Sequence, residues 1–146
     1  MVAHEALGAE GTAFDMDIER GKIAEFARAV HAEHPDHVAS DKAAIPATFL
    51  TTQFFWEQRN PDTNPWSLVA MSEERGMHAE QEYIFHGPPP VAGDRLIATS
   101  RIAEMRDKTS RSGAVLTFVK MITEFRDPDT NRLVAEAILT GVERQP

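Results

Sequence analysis

The chain of 146 residues contains no cysteine, which excludes disulfides, thiolate catalysis and cysteine-based zinc sites. Basic residues are few: 15 Lys and Arg stand against 23 Asp and Glu, for a formal net charge of −8. Nucleic acids and anionic membranes attract basic surfaces, so we expect neither as a partner. No window approaches the roughly 18 apolar residues of a membrane span. The first residues lack the cationic start and apolar stretch of a signal peptide, so we expect a cytoplasmic protein.

Motifs for nucleophilic or cofactor chemistry are missing as well. Neither G-x-S-x-G nor S-x-x-K occurs, and without G-x-G-x-x-G or a Walker A loop we expect no cofactor. The densest polar stretch, residues 31–37, holds three histidines and two carboxylates. Pro35 breaks the helical register there, so these histidines need not converge, and we expect no metal site.

The size and composition are those of one globular domain. A mass of 16.2 kDa with 42% hydrophobic and 26% charged residues fits a single core. We therefore predict one domain over residues 1–146. Residues 1–11, which contain Gly8 and Gly11, are expected to be a loose lead-in.

Two helices are predicted in the first half of the chain. Asp17 can cap a helix over residues 18–33, with an apolar stripe at the i, i+3, i+4, i+7 spacing and Pro35 at its end. Pro46 is favoured at a first helical position and begins a second helix that runs to about Arg59. Its apolar residues cover much of the circumference, so we expect it to be buried: Phe49, Leu50, Phe54, Phe55 and Trp56.

The second half of the chain predicts strands. Between residues 77 and 85 apolar side chains alternate, with Met77, Ala79, Tyr83 and Phe85 on the inner face and Gln81 as the exception. Further strands are predicted at 95–105, 114–125 and 133–142, with loops at 107–113 and 127–131 and a hairpin connector at 87–93. Residues 12–16 could add another strand. Short connections imply antiparallel pairing.

An apolar helix beside an antiparallel sheet predicts an α+β fold. The sheet can bury that helix by wrapping around it. We therefore predict a hotdog fold, in which an antiparallel β-sheet is wrapped around a long central α-helix.

Three pieces in this order resemble a known family. The segments E-F-A-R-A-V (25–30), H-P-D-H (34–37) and I-P-A-T-F (45–49) are similar to the start of MaoC-like dehydratases. Members read E-F-A-x-A-V-G-D-x-N-P-x-H and then A-P-P-T-F. Residues 77–86 followed by V-A-G-D-R-L (91–96) resemble the family's H-G-E-Q-E-F-x-Y-H-R-P-L-x-x-G-D-x-L. The resemblance covers residues 14–142.

The resemblance implies reversible addition of water to a trans-2-enoyl thioester of coenzyme A or acyl carrier protein. In catalytic members the aspartate and histidine of the motif activate the water. Backbone amides at the start of the central helix polarise the thioester carbonyl. On this sequence the histidine is His37, and the amides are those of Ala47, Thr48 and Phe49.

The aspartate is missing. Ala32 occupies its position and can neither orient water nor carry a proton. Glu33 follows directly, but a shift of one residue at a helix end rotates the side chain by about 100°, which makes it a doubtful substitute.

We therefore expect an enoyl-thioester hydratase/dehydratase subunit that needs a catalytic partner, or a weak enzyme that uses His37. Its ligand would be an acyl-CoA or acyl-ACP thioester, and it would form a homodimer or a heterodimer with a catalytic MaoC-like subunit. Three alternatives stay open. His37 could be an ordinary exposed loop histidine. The chain could be a non-catalytic protein that binds acyl or other apolar ligands, or an acyl-CoA thioesterase with Glu57 as its helix carboxylate.

Overall fold

The computed structural model describes residues 1–57 and 60–145, in which short helices lie against a five-stranded sheet. The strands are β1 (Phe14–Asp17), β2 (Gly76–Phe85), β3 (Arg95–Thr109), β4 (Val115–Arg126) and β5 (Leu133–Arg144). The α-helices are α1 (Arg20–Ala29), α2 (Pro35–Val38) and α3 (Phe54–Glu57), and 3-10 helices span His4–Ala6, Phe49–Gln53 and Pro65–Val69. No helix in this described part is long and apolar enough to cross a bilayer.

The sheet order is β1-β3-β4-β5-β2, and all neighbours are antiparallel. Tight turns join β3 to β4 and β4 to β5, as the sequence predicts. The hairpin predicted at residues 87–93 is wrong. Because β2 pairs with β5 rather than with β3, residues 86–94 cross the fold from one side of the sheet to the other.

Strand β4 shows why periodicity locates strands. Its odd positions from Thr117 to Phe125 are buried, and the positions between them are half-buried, because successive side chains point to opposite faces. The loop predicted at 107–113 is partly wrong, since β3 continues through Thr109, which pairs with Val115. Strand β5 likewise extends to Arg144.

Strand β2 departs from the face assignment that its alternation predicts. Its register against β5 shifts between His78 and Glu80, which marks a β-bulge. Tyr83 and Phe85 oppose the buried Ala137 and Ala135 on the inner face, as predicted. Beyond the bulge the alternation is reversed, and Met77 is 65% exposed.

The central helical segment is shorter than predicted and changes type. It starts as the 3-10 helix Phe49–Gln53 and becomes α3 at Phe54; Arg59, the predicted end, lies outside the described residues. Phe49 and Leu50 are fully buried, whereas Phe54 and Phe55 are 40% and 68% exposed. A helix on one sheet face can bury only one of its sides, so the predicted burial of all its aromatic residues is wrong.

Helix α1 is also shorter than predicted. Residues 14–17 form β1 and pair with β3, so Glu19, not Asp17, is the N-cap. At the C-terminus the amide of Ala32 donates to Ala27 O at 2.8 Å, and His31 takes a left-handed φ of 56°. This is a Schellman motif. Pro35 therefore does not end α1; it is the first residue of α2.

The predicted loose lead-in is wrong, because residues 1–11 pack against the sheet. Val2 and Ala6 are buried. The amide of Ala3 donates to Val69 O, and those of Gly8 and Gly11 donate to carbonyls of β3. These bonds satisfy backbone groups that a loose segment would leave to water.

Candidate functional site

His37 lies in α2 and is half-buried. Its Nδ1 is 2.8 Å from Ala44 O. A carbonyl oxygen only accepts, so in the neutral ring Nδ1 carries the hydrogen and Nε2 keeps the lone pair that can take a proton from water. Ala44 is itself fixed, because its amide donates to Asp36 O and it forms a β-bridge with Val91. The ring orientation and tautomer of His37 are thus set by backbone groups.

The other histidines of this stretch do not converge on His37. His34 caps α2 by accepting from the amide of Asp36 at 3.3 Å, and its ring centroid lies 6.1 Å from that of His37. His31 occupies the end of α1. Among residues 1–57 and 60–145, no three His, Cys, Asp or Glu side chains are placed to hold one metal ion.

Ala32 and Glu33 border an open cleft of about 410 Å³ between α1 and α2. Ala24, Arg28 and Val38 line the same cleft. Ala32 is half-buried and Glu33 is exposed. Ala32 and Glu33 thus border the same cleft. His37 is held separately, by its hydrogen bond to Ala44 O.

The three residues predicted to bind the thioester carbonyl differ from one another. Ala47 and Thr48 are exposed, and in the described part of the chain no group accepts a hydrogen bond from either amide. The amide of Phe49 already donates to Pro46 O at 2.9 Å, and its side chain is fully buried. The geometry therefore offers the amides of Ala47 and Thr48 to a ligand and not that of Phe49.

A narrow crevice, which we call the Gln53 crevice, lies between the central helical segment and the inner face of the sheet. It has a volume of about 20 Å³, enough for one water-sized group. Thr51, Phe54 and Gln81 form its exposed mouth, and Gln53, Met121 and Thr123 form its buried floor.

The floor of the Gln53 crevice is polar. Gln53 Nε2 donates to Thr123 Oγ1 at 3.3 Å, and Thr123 Oγ1 is 2.8 Å from Ser100 Oγ. Gln53 is 5% exposed, and its Oε1 is bonded to none of the described residues. Burial raises the pKa of the nearby Tyr83 phenol, and a hydrogen bond with Thr51 partly offsets this effect. Tyr83 therefore stays protonated at neutral pH.

Sequence reasoning missed this crevice. Its signal was the polar run Thr51-Thr52-Gln53 inside an otherwise apolar helical segment. Polar side chains on a buried helix need partners on the facing sheet, and here the partner is Thr123.

A second, apolar groove of about 260 Å³ runs beside β2. Trp66, Met71, Met77 and Leu139 line it. Trp66 also lies over Gly141, where an added Cβ would come within 2.7 Å of the indole ring. The groove and the Gln53 crevice share Leu139, so both adjoin the outermost strand.

Glu57, the carboxylate considered for thioester hydrolysis, is 1% exposed. Its Oε1 accepts a hydrogen bond from Asn64 Nδ2 at 2.9 Å. It is therefore engaged in the helix–loop junction and is not presented to solvent.

The family described as "FAS1-like, dehydratase domain region" matches residues 5–136 of the chain. The chain belongs to this dehydratase family. No curated protein matches the sequence of this dehydratase-family chain.

Several solved structures share its fold, two of which are named as dehydratases. The HadBC (3R-hydroxyacyl-ACP dehydratase) complex of Mycobacterium tuberculosis matches with a TM-score of 0.65 and 24% identity, over 94% of this chain and 96% of that chain. A MaoC-like dehydratase matches with a TM-score of 0.72 and 22% identity, over 94% of this chain but 42% of that one. The ChsH1–ChsH2 complex of Mycobacterium tuberculosis matches with a TM-score of 0.73 and 12% identity, over 94% and 85%.

These matches confirm the predicted α+β hotdog fold and the resemblance to MaoC-like dehydratases. In this dehydratase-family chain the wrapped helix is the short segment Phe49–Glu57, in its described part, rather than a long one.

Proposed function

We propose that the chain is a subunit of an enoyl-thioester hydratase/dehydratase that binds acyl thioesters but turns them over poorly without a catalytic partner. The observation that carries the proposal is the state of the acid–base pair. His37 is present with its Nδ1 on Ala44 O, while Ala32 stands at the family's aspartate position. His37 therefore remains as one positioned base. At the position of the carboxylate that would orient the water with it, Ala32 has only a methyl group.

Substrate binding is supported by the amides of Ala47 and Thr48. In the proposed complex they donate to the thioester oxygen, where negative charge develops as the enolate forms. During hydration His37 Nε2 takes a proton from the water whose oxygen adds to the β-carbon, and that proton then passes to the α-carbon of the enolate. Dehydration runs the same steps in reverse. The missing carboxylate would normally hold that water, so the rate suffers more than the affinity.

The edge of the sheet supports a partner subunit. Strand β2 is ten residues long and pairs with β5 along its length except at the bulge, and in the described sheet its other side has no neighbouring strand. Long unpaired edges tend to pair with another chain. Two of the similar solved structures are HadBC and ChsH1–ChsH2 complexes. We propose that β2 pairs side by side with a second hotdog subunit that carries the intact Asp/His pair.

The test is hydration of crotonyl-CoA by the purified chain and three variants. We expect wild-type activity near background and a gain of about tenfold or more in Ala32→Asp, since general acid–base catalysis contributes roughly 10²–10⁴-fold. His37→Ala should remove the residual activity, and His4→Ala, a distant exposed histidine, is the matched control. Ordinary enzyme rates in the wild type would overturn the need for a partner, and Glu33→Gln would then show whether Glu33 replaces the aspartate.

A non-catalytic ligand-binding protein is the second candidate. The apolar groove of Trp66, Met71, Met77 and Leu139 favours it, because such grooves hold apolar ligands without chemistry. Acyl-CoA binding with no turnover in the wild type, in Ala32→Asp and in a mixture with a catalytic MaoC-like subunit would support this candidate. The thioesterase alternative is disfavoured by the burial of Glu57, and hydrolysis of acyl-CoA would revive it.

A further inference from the structure

We infer that the Gln53 crevice selects acyl thioesters that carry a hydroxyl group at the end of a short acyl chain, with Gln53 as the specificity-determining residue. The inference rests on the proposed function, because it assumes that an acyl thioester binds at Ala47 and Thr48. It adds the chemical class of the acyl group.

The crevice floor holds a buried hydrogen-bond acceptor that has no donor among the described residues. Gln53 is 95% buried, and its Oε1 accepts from none of the described residues. A buried polar atom without a partner costs roughly 1–3 kcal/mol. A ligand that donates a hydrogen bond there removes the cost, whereas a methyl group leaves it in place.

The crevice excludes acyl chains that end in a charged group. The described lining residues carry no charge, so a terminal carboxylate would lose its hydration with no cation to balance it. An ammonium group would lose its hydration without a counter-charge. A neutral hydroxyl both donates and accepts, and it matches the water-sized volume of about 20 Å³.

A short acyl chain can extend from Thr48 to the crevice. The mouth of the crevice includes Thr51, three residues along the 3-10 helical segment from Thr48. Three residues of 3-10 helix rise about 6 Å, which a four-carbon acyl chain can span. Longer chains would have to bend out past Phe54 and Gln81.

The test compares the binding of 4-hydroxybutanoyl-CoA and pentanoyl-CoA by calorimetry. The two acyl groups have the same number of heavy atoms and differ only by hydroxyl against methyl, and neither requires turnover. We expect wild type to bind the hydroxylated ligand about tenfold more tightly, because a site with a buried polar group penalises an analogue that leaves it unpaired. Gln53→Met should abolish or reverse the preference. Gln145→Met should keep it, because the Nε2 of Gln145 donates to Thr117, at the other end of β4 from Thr123.

Equal or tighter binding of pentanoyl-CoA by the wild type would overturn the inference and leave the crevice as the site of a water only, with the proposed function intact. If neither ligand nor acetyl-CoA binds, the proposed function fails together with the inference. The wild-type comparison decides the matter even if Gln53→Met does not fold, and Thr123→Val provides a second variant of the floor.

Discussion

Two neighbouring parts of the inner sheet face bury different kinds of side chain. Phe14, Met16, Phe49 and Phe125 form an apolar cluster. At the preceding inward-facing position of β4, Thr123 joins Ser100 and Gln53 in a buried row of hydrogen-bonded polar side chains. The same strand alternation buries both parts, so alternation decides which positions are inside but not what they do. An apolar cluster contributes stability directly, whereas buried polar groups contribute little unless each has a partner.

The largest expected effects come from replacing one residue in each part and comparing the losses of stability. Phe125→Ala should lower the free energy of unfolding by about 3–5 kcal/mol, because it leaves a cavity in this apolar cluster. Thr123→Val keeps the volume and leaves Gln53 Nε2 and Ser100 Oγ without this partner, for a loss of about 1–3 kcal/mol. Urea denaturation measures both. Equal losses would mean that the row of polar side chains is as important for stability as the apolar cluster.

A second comparison uses two glycines. Gly141→Ala places a Cβ 2.7 Å from the Trp66 ring, and such overpacking costs about 1–3 kcal/mol. Gly21→Ala in α1 meets nothing within 4 Å and should stabilise the chain by about 0.5 kcal/mol, since alanine favours helix. Thermal unfolding of the two variants should therefore shift in opposite directions. A matching shift in both would show that Trp66 yields easily.

The exposed edge strand β2 can be tested through assembly. Met77 on β2 is 65% exposed, and pairing along β2 would cover it. Met77→Lys should weaken association of the subunits about tenfold, which is the effect of losing roughly 1.4 kcal/mol. The control is Leu7→Lys, which is 53% exposed elsewhere. A wild-type chain that sediments as a monomer at micromolar concentration, both alone and mixed with a catalytic MaoC-like subunit, would contradict the pairing of β2.

A small effect is expected at the end of α1, outside both parts of the inner face. His31 holds a φ of 56° at the position where the family has glycine. His31→Gly should raise the stability by about 0.5–1 kcal/mol, because glycine adopts this conformation without a Cβ penalty. Chemical denaturation would detect the shift, and a loss of stability would mean that the His31 side chain makes an important contact.

Sequence periodicity predicted the strands well because their burial alternates over ten or more residues. It also allowed a further strand at residues 12–16, and the structure has β1 at Phe14–Asp17. It could not foresee the bulge at Ala79, because one extra residue reverses the alternation without changing composition. The pairing of β2 with β5 could not be predicted from the sequence either, since the short segment 86–94 suggested a hairpin between β2 and β3.

The candidate site was predictable only in part. The motif resemblance located His37, Ala47 and Thr48, and their roles stay predictions. What the sequence could not show was that the amide of Phe49 is used by Pro46 O, or that Gln53 meets Thr123 seventy residues later. Both depend on how the helical segment sits on the sheet.

The order of the strands has a consequence for how the chain folds. The pairs β3–β4 and β4–β5 close through short turns, whereas β1 pairs with residues about eighty positions away and β2 with residues about sixty positions away. Closing long loops is entropically slow, so local pairs form first. The three-stranded meander should therefore be the folding nucleus. The amides of β1 and β2 should exchange with solvent faster than those of β4, and the strand proposed to meet a partner would be among the last to join the sheet.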